Sequence, residues 1–232
     1  MIEARVAAVR DRIGRAAARA GRRAEDVTLV AVSKTHPPEA VRAAFAAGLR
    51  DFGESRVQEA EVKVPALADL RDRGLRWHLV GHLQSNKTAK AAALFDCIHS
   101  LDDPKLGPRL EKSAAQSRRL LTALVQVDLA GEEGKHGVPE GRVLGVLDML
   151  RGSKSLRVEG LMVLPPLTRD PEDARPYFRR LRALRDRALA ENLLLGGHLS
   201  MGMSHDLEVA VEEGATLVRV GTALFGARGK EH

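Results

Sequence analysis

The sequence predicts an α/β fold: a single-domain (β/α)8 TIM barrel over residues 1–232, with an extra helix at the N-terminus. Three observations predict it. Short apolar, β-branched runs alternate eight times with amphipathic stretches rich in alanine and arginine, and no long linker interrupts them. The 232 residues divided by eight give about 29 per unit, close to one strand plus one helix. The first strand closes on Lys34-Thr35-His36-Pro37, where a doubly wound open sheet would carry a glycine-rich dinucleotide turn.

Each element has its own signal. Ile2, Val6, Val9 and Ile13 recur at helical spacing over residues 2–20, and Gly21 ends that helix. The first strand, 28–33, is dense in β-branched residues, and Pro37-Pro38 opens a helix that stops at Gly48. A second strand at 50–53 leads through Glu54-Ser55-Arg56 into a helix that Pro65 is expected to break. Glu54 and Glu59 are expected to favour the dipole of that helix. A third strand (76–80), a helix (88–94) and a fourth strand (96–100) follow, and Pro104 is read as the start of the next helix. The fifth strand is 120–127. A polar glycine-rich loop from Gly131 to Gly137 then precedes a helix over 139–150. The sixth strand, 156–164, is closed by Pro165-Pro166, and a long helix covers 172–191. A short seventh strand ends at Ser200, a helix spans 206–213, and the eighth strand is 216–220.

Composition excludes several classes of function. The 37 basic and 31 acidic residues leave a net charge of +6, but the arginines are interleaved with acids and there is one Trp and one Tyr. That pattern describes solvated helix faces and no nucleic-acid surface. No apolar run reaches membrane-spanning length, and residues 1–23 show no signal-peptide pattern, so the expectation is a cytoplasmic protein with no membrane partner. The lone Cys97 cannot form an internal disulfide and reads as a small buried residue. The eight histidines show no paired metal-ligand spacing, so no metal site is expected. There is no Walker loop and no nucleophile elbow.

Barrel chemistry collects where the strands end. Those ends offer Lys34 (first strand), Ser55 (second), His78 (third), Met162 (sixth), Ser200, Met201 and Ser204 (seventh), and Arg219, Gly221 and Thr222 (eighth). A lysine at the end of a buried strand is costly unless it is used, although a rim lysine with its amine in solvent is the plain alternative. Ser200–Ser204 and Gly221-Thr222 occupy the place where barrels bind phosphate through backbone N–H groups, while a tight glycine turn with a threonine cap would give the same residues. Alternation puts Arg219 and Gly221 on one face and Val218 and Val220 on the other, and valines facing the helices leave the arginine inward. Closure sets the eighth strand beside the first, about 4.8 Å away. An amine, a cation and phosphate donors within a small ring's span suggest pyridoxal 5'-phosphate (PLP). A phosphate-binding barrel without PLP, in which Lys34 polarises a substrate, is the remaining alternative.

Several blocks together carry a resemblance. Val32-Ser33-Lys34-Thr35, Phe52-Gly53-Glu54, Val57-Gln58-Glu59, the run from Trp77 to Lys87, Gly160-Leu161-Met162, Leu199 to Ser204 and Val218 to Gly226 resemble, in order and over nearly the whole chain, the pyridoxal phosphate homeostasis family. The resemblance implies a barrel like the N-terminal domain of alanine racemase, with Lys34 as the Schiff-base lysine. It implies Arg219 at the pyridine nitrogen, and Ser200, Gly221 and Thr222 on the phosphate. It also implies a PLP carrier in vitamin B6 and amino-acid homeostasis without an established catalytic reaction, a monomer serving apo PLP-dependent enzymes. Ser55 departs from the family's usual asparagine and offers a hydroxyl in place of an amide. Lys135 matches a family lysine near the mouth and is a candidate second acceptor for PLP.

The alternative is a PLP-dependent amino-acid racemase or lyase. Arginine donates to the ring nitrogen without protonating it, which weakens the electron sink such chemistry needs. Racemases of this fold take a second base from a C-terminal β domain, and ten residues follow Thr222 here, leaving His82, His99 or His205 to substitute.

Overall fold

Eight apolar runs pair side by side in parallel and close on themselves, in a computed structural model that describes residues 1–131 and 136–226. The barrel strands are β1 (Thr28–Val32), β2 (Asp51–Glu54), β3 (Arg76–Leu79), β4 (Cys97–Leu101), β5 (Leu121–Asp128), β6 (Leu156–Met162), β7 (His198–Ser200) and β8 (Leu217–Val220). Each pairs with its neighbour in sequence, and β8 returns to β1 in the register Thr28 to Leu217 through Ala31 to Val220. A two-residue bridge, Val138–Pro139, pairs beside the end of β5 and has no counterpart among the expected strands.

Period-two alternation divides the core into two layers. Val30, Val32, Val80, Cys97, Leu124, Met162 and Leu217 pack together inside the barrel. Leu29, Ala31, Val218 and Val220 face outward into the larger layer beneath the helices, as does Trp77, which is fully buried against Phe52. That layer is covered by α1 (Ile2–Arg19), α2 (Pro38–Ala46), α3 (Val57–Ala66), α4 (Ala68–Arg71), α5 (Thr88–Leu94), α6 (Leu106–Gln116), α7 (Val143–Leu150), α8 (Arg175–Ala190), α9 (Leu207–Glu212) and α10 (Thr222–Phe225). The extra helix α1 buries Val6, Val9, Ile13, Ala16 and Ala17 and lies along α9 and α10. Arg12 fixes it there with two hydrogen bonds to Glu208, at 2.6 and 2.8 Å. No helix among the described residues is long and apolar enough to cross a membrane.

Four helix boundaries differ from expectation. Pro65 sits in the last turn of α3, where one missing N–H costs a single intrahelical bond, so the helix ends after the proline. Pro104 belongs to a turn closed by the Leu106 N–H on the Asp103 carbonyl, and α6 begins at Leu106. The predicted starts at 139 and 172 fall in 3-10 turns, Glu140–Arg142 and Pro171–Ala174, that lead into α7 and α8.

The outer layer sets a stability expectation. Trp77→Ala should cost about 3–5 kcal/mol in urea unfolding, from the cavity it leaves, whereas Val62→Ala, at a position 69% exposed, should change stability by less than about 0.5 kcal/mol.

Candidate functional site

A cavity of about 530 Å³ opens at the C-terminal ends of the strands, and Lys34, Ser55, Ser204, Arg219, Gly221 and Thr222 all line it. The turn after β8 passes close to the backbone of β1: a Cβ on Gly221 would lie 3.3 Å from the Val32 carbonyl. Ser204 Oγ accepts a hydrogen bond of 3.3 Å from the Ala223 N–H, joining the loop after β7 to the first turn of α10.

The other four expected contacts lie off this wall. Met162 is fully buried in the inner core, and Ser200 and His78 lie buried inside the barrel in the hydrogen-bond chain described below. Met201 is packed in the outer layer, because Ser200 points inward and the next residue must point out. Met203 takes its place on the wall, together with His36, His205, Leu164 and Leu167. His36 also stacks on Phe225, with ring centroids 5.1 Å apart. Lys135 lies outside the described residues.

Lys34 is carried between two anchored neighbours. On one side the Ser33 hydroxyl donates to Glu54 Oε1 at 2.7 Å, and the Ser33 carbonyl accepts from Lys63 Nζ at 2.7 Å. On the other, Thr35 adopts a positive φ of 65°, and its N–H donates to Glu59 Oε2 at 2.7 Å. Lys63 completes the frame with 2.7 Å to Glu54 Oε1 and 3.6 Å to Glu59 Oε2. These two glutamates therefore do more than favour a helix dipole. Alternation along β2 turns Glu54 away from the barrel interior and into the layer under α3, where it is fully buried and requires a cation. Burial pushes the Glu54 carboxyl up, against the opposing pull of Lys63 and Ser33. The i,i+4 spacing of Glu59 and Lys63 was the available sequence signal for this frame.

Arg219 is held by a chain of hydrogen bonds that crosses the barrel interior. Its Nη2 donates to the Val163 carbonyl at 2.9 Å and its Nη1 to Ser200 Oγ at 2.6 Å. Ser200 then contacts His99 Nδ1 at 2.7 Å, His99 Nε2 contacts His78 Nδ1 at 2.9 Å, and His78 Nε2 contacts Asp51 Oδ1 at 2.9 Å. The ends set the direction of every proton. Arginine only donates, so Ser200 passes its own hydroxyl proton to His99 Nδ1, His99 donates from Nε2 to His78 Nδ1, and His78 donates from Nε2 to the carboxylate. Burial holds His99 well below the usual histidine range, and the charge of Arg219 pushes it the same way, which fits the neutral tautomer this direction requires. Burial also pushes Asp51 up, but its hydrogen bonds with His78 and Arg76 and the charge of Arg76 outweigh burial and hold it below its ordinary value. Burial brings Arg219 down to about 10, still charged at neutral pH. Of the three histidines weighed as a second base, His99 is thus committed beneath the cavity and His205 lines it. His82 stands at the mouth with its Nδ1 2.6 Å from Asp102.

Comparison with known proteins agrees with this geometry. Residues 5–229 match the family described as alanine racemase, N-terminal domain. The pyridoxal phosphate homeostasis protein of Aquifex aeolicus is 44% identical over 224 residues, 97% of each chain. Its counterpart in Pseudomonas aeruginosa is 46% identical, covering 96% of this chain and 94% of that one. The structure of PipY from Synechococcus elongatus PCC7942 with PLP bound superposes with a TM-score of 0.86 at 39% identity, over 97% of this chain and 100% of that one.

Removing the cation from the buried pair should be costly. Lys63→Met is expected to lose about 3–5 kcal/mol at neutral pH, because Glu54 is left charged and unpaired. A carboxyl raised by burial binds its proton more tightly folded than unfolded. Folding therefore gains as pH falls through the raised value toward the ordinary glutamate range. The deficit of the variant should accordingly narrow on acidification in urea titrations across that range, and a constant deficit would contradict the assignment.

Proposed function

The chain belongs to the alanine racemase N-terminal domain family, and from that membership we propose that it binds PLP on Lys34 and serves PLP homeostasis in the cytoplasm. The observation that carries the reading is the placement of Lys34 and Arg219 in one cavity, on strands that barrel closure makes neighbours.

The residues present fit the group. A lysine amine with no ionic partner among the described residues, a buried guanidinium, and the hydroxyls of Ser204 and Thr222 beside the close turn at Gly221 form a donor set for an aldehyde, a ring nitrogen and a phosphate. When bound, PLP supplies an aldehyde that condenses reversibly with a primary amine. Lys34 provides that amine. Arg219 would donate a hydrogen bond to the ring nitrogen and, because a guanidinium keeps its protons at neutral pH, would leave that nitrogen unprotonated. Ser204, Gly221 and Thr222 hold the phosphate, and Ser200 acts from below by fixing Arg219. His78 acts further along the same chain, and Met162 supports the floor from the inner core. Ser55 lines the same cavity. An arginine at the ring nitrogen weakens the electron sink that racemase or lyase chemistry needs, and this supports the homeostasis reading, in which the cofactor is held reversibly and delivered to apo-enzymes.

The test is the absorption spectrum of the purified protein incubated with PLP. A violet-edge band that borohydride bleaches is expected in the wild type and absent in Lys34→Ala. Arg219→Gln should retain the band with its maximum shifted, because the donor at the ring nitrogen is changed. Sustained turnover of an added amino acid by the wild type would favour the racemase or lyase reading, and absence of the band would remove PLP from the assignment.

A further inference from the structure

Outside the cofactor cavity, one group of ionisable side chains at the barrel mouth has an unmet demand. His82 follows β3, Asp102 follows β4, and His136 comes from the segment after β5, so three separate strand ends converge. Asp102 is 2% exposed at its side chain. Its Oδ2 lies 2.6 Å from His82 Nδ1 and 3.8 Å from His136 Nδ1. Its other oxygen, Oδ1, is buried with no hydrogen-bond partner among the described residues. A buried carboxylate with an oxygen left unsatisfied there is short of positive charge.

We propose that His82, Asp102 and His136 form a site for one divalent transition-metal ion, of the zinc, cobalt or nickel class. The donor set is two imidazoles and a carboxylate, which suits those ions and not magnesium or calcium, whose ligands are all oxygen. The three ligating atoms lie within 4.8 Å of one another. Bonds of about 2.0–2.2 Å to a tetrahedral ion place donors roughly 3.4 Å apart, between the two separations that Asp102 Oδ2 makes with the histidines. Two changes are required: the proton between His82 Nδ1 and Asp102 Oδ2 leaves to solvent as the ion takes its place, and one ring turns. The two rings are stacked, with centroids 3.7 Å apart and planes 9° from parallel, whereas an ion must lie in the plane of each ring that binds it. His136, 55% exposed at its side chain, is free to turn, while its backbone carbonyl stays fixed by Gln126 Nε2 at 2.7 Å. The remaining coordination positions face a side cavity of about 260 Å³ that shares Val80, Gly81 and Leu164 with the cavity of Lys34. A second cluster, His78, Cys97 and His99, is no rival, because it is buried inside the barrel and its histidine nitrogens are already engaged.

The experiment uses full-length, tag-free protein stripped of PLP and metal, so its outcome is independent of the cofactor assignment. Co²⁺ is titrated with visible absorption as the readout and Zn²⁺ by calorimetry, with circular dichroism reporting the fold of each variant. One equivalent should bind. Binding should vanish in His82→Ala and Asp102→Asn, weaken at least about tenfold in His136→Asn, and persist in Cys97→Ser and His198→Gln. His136→Asn alters an exposed side chain, so its fold is secure even where the Asp102 variant's is not. No saturable binding, or affinity left unchanged by loss of either histidine, would overturn the site and leave the His82–Asp102 hydrogen bond as the role of Asp102.

Discussion

Closure of the barrel, through the parallel pairing of β8 with β1, is the constraint on which the site depends. Lys34 and Arg219 are 185 residues apart in sequence, and neither is informative alone. Strand spacing of about 4.8 Å and a two-residue side-chain period then leave little freedom: once Val218 and Val220 are committed to the layer under the helices, Arg219 must enter the interior. The hydrophobic effect thus aims the guanidinium, since the outward valines are the burial that decides which face of β8 is which. The turn at Gly221 follows from the same closure, because the chain leaving β8 passes beside the Val32 carbonyl.

A guanidinium inside a barrel has to be satisfied, and here its partners are almost all neutral. Arg219 donates to a carbonyl and a hydroxyl, and the nearest carboxylate in its hydrogen-bond chain is Asp51, four links away through Ser200, His99 and His78. A direct carboxylate would neutralise the arginine and compete with any acceptor in the cavity. A chain of neutral donors instead fixes its orientation and leaves its charge facing the site. The cost is a run of buried polar groups on five strands, with His78 and His99 each usable in a single tautomer.

The sequence made the architecture legible because barrel elements announce themselves locally. Strand runs, proline and glycine punctuation and helical periodicity are short-range signals, and the shifted boundaries at Pro65, Pro104 and Pro171 are matters of one turn. Strand ends were equally legible as the place of chemistry, and six of the residues named there share the cavity wall. What was not legible depends on the register between strands. The chain from Asp51 to Arg219 joins β2, β3, β4, β7 and β8, and no spacing within one strand reveals it. Met201 and Met203 are chemically identical in sequence, and only the inward turn of Ser200 separates the packed one from the one on the wall. Glu54 looked like a helix-start glutamate because its strand was read one residue short, at 50–53, whereas β2 extends through Glu54 and turns it under α3.

Two lysines near the end of β1 show how the fold separates structure from chemistry. Lys63 is 7% exposed at its side chain and spends its ammonium on Glu54, Glu59 and the Ser33 carbonyl. Lys34, one residue beyond that carbonyl, faces the cavity and has no ionic partner among the described residues. The two arrangements are linked. Glu54 and Glu59, which contact the backbone neighbours of Lys34, are both engaged: Glu54 with Ser33 and Lys63, Glu59 with the Thr35 N–H and Lys63. By engaging both glutamates, Lys63 ties α3 to the backbone on either side of Lys34, so the buried ion pair is a condition of the site's geometry.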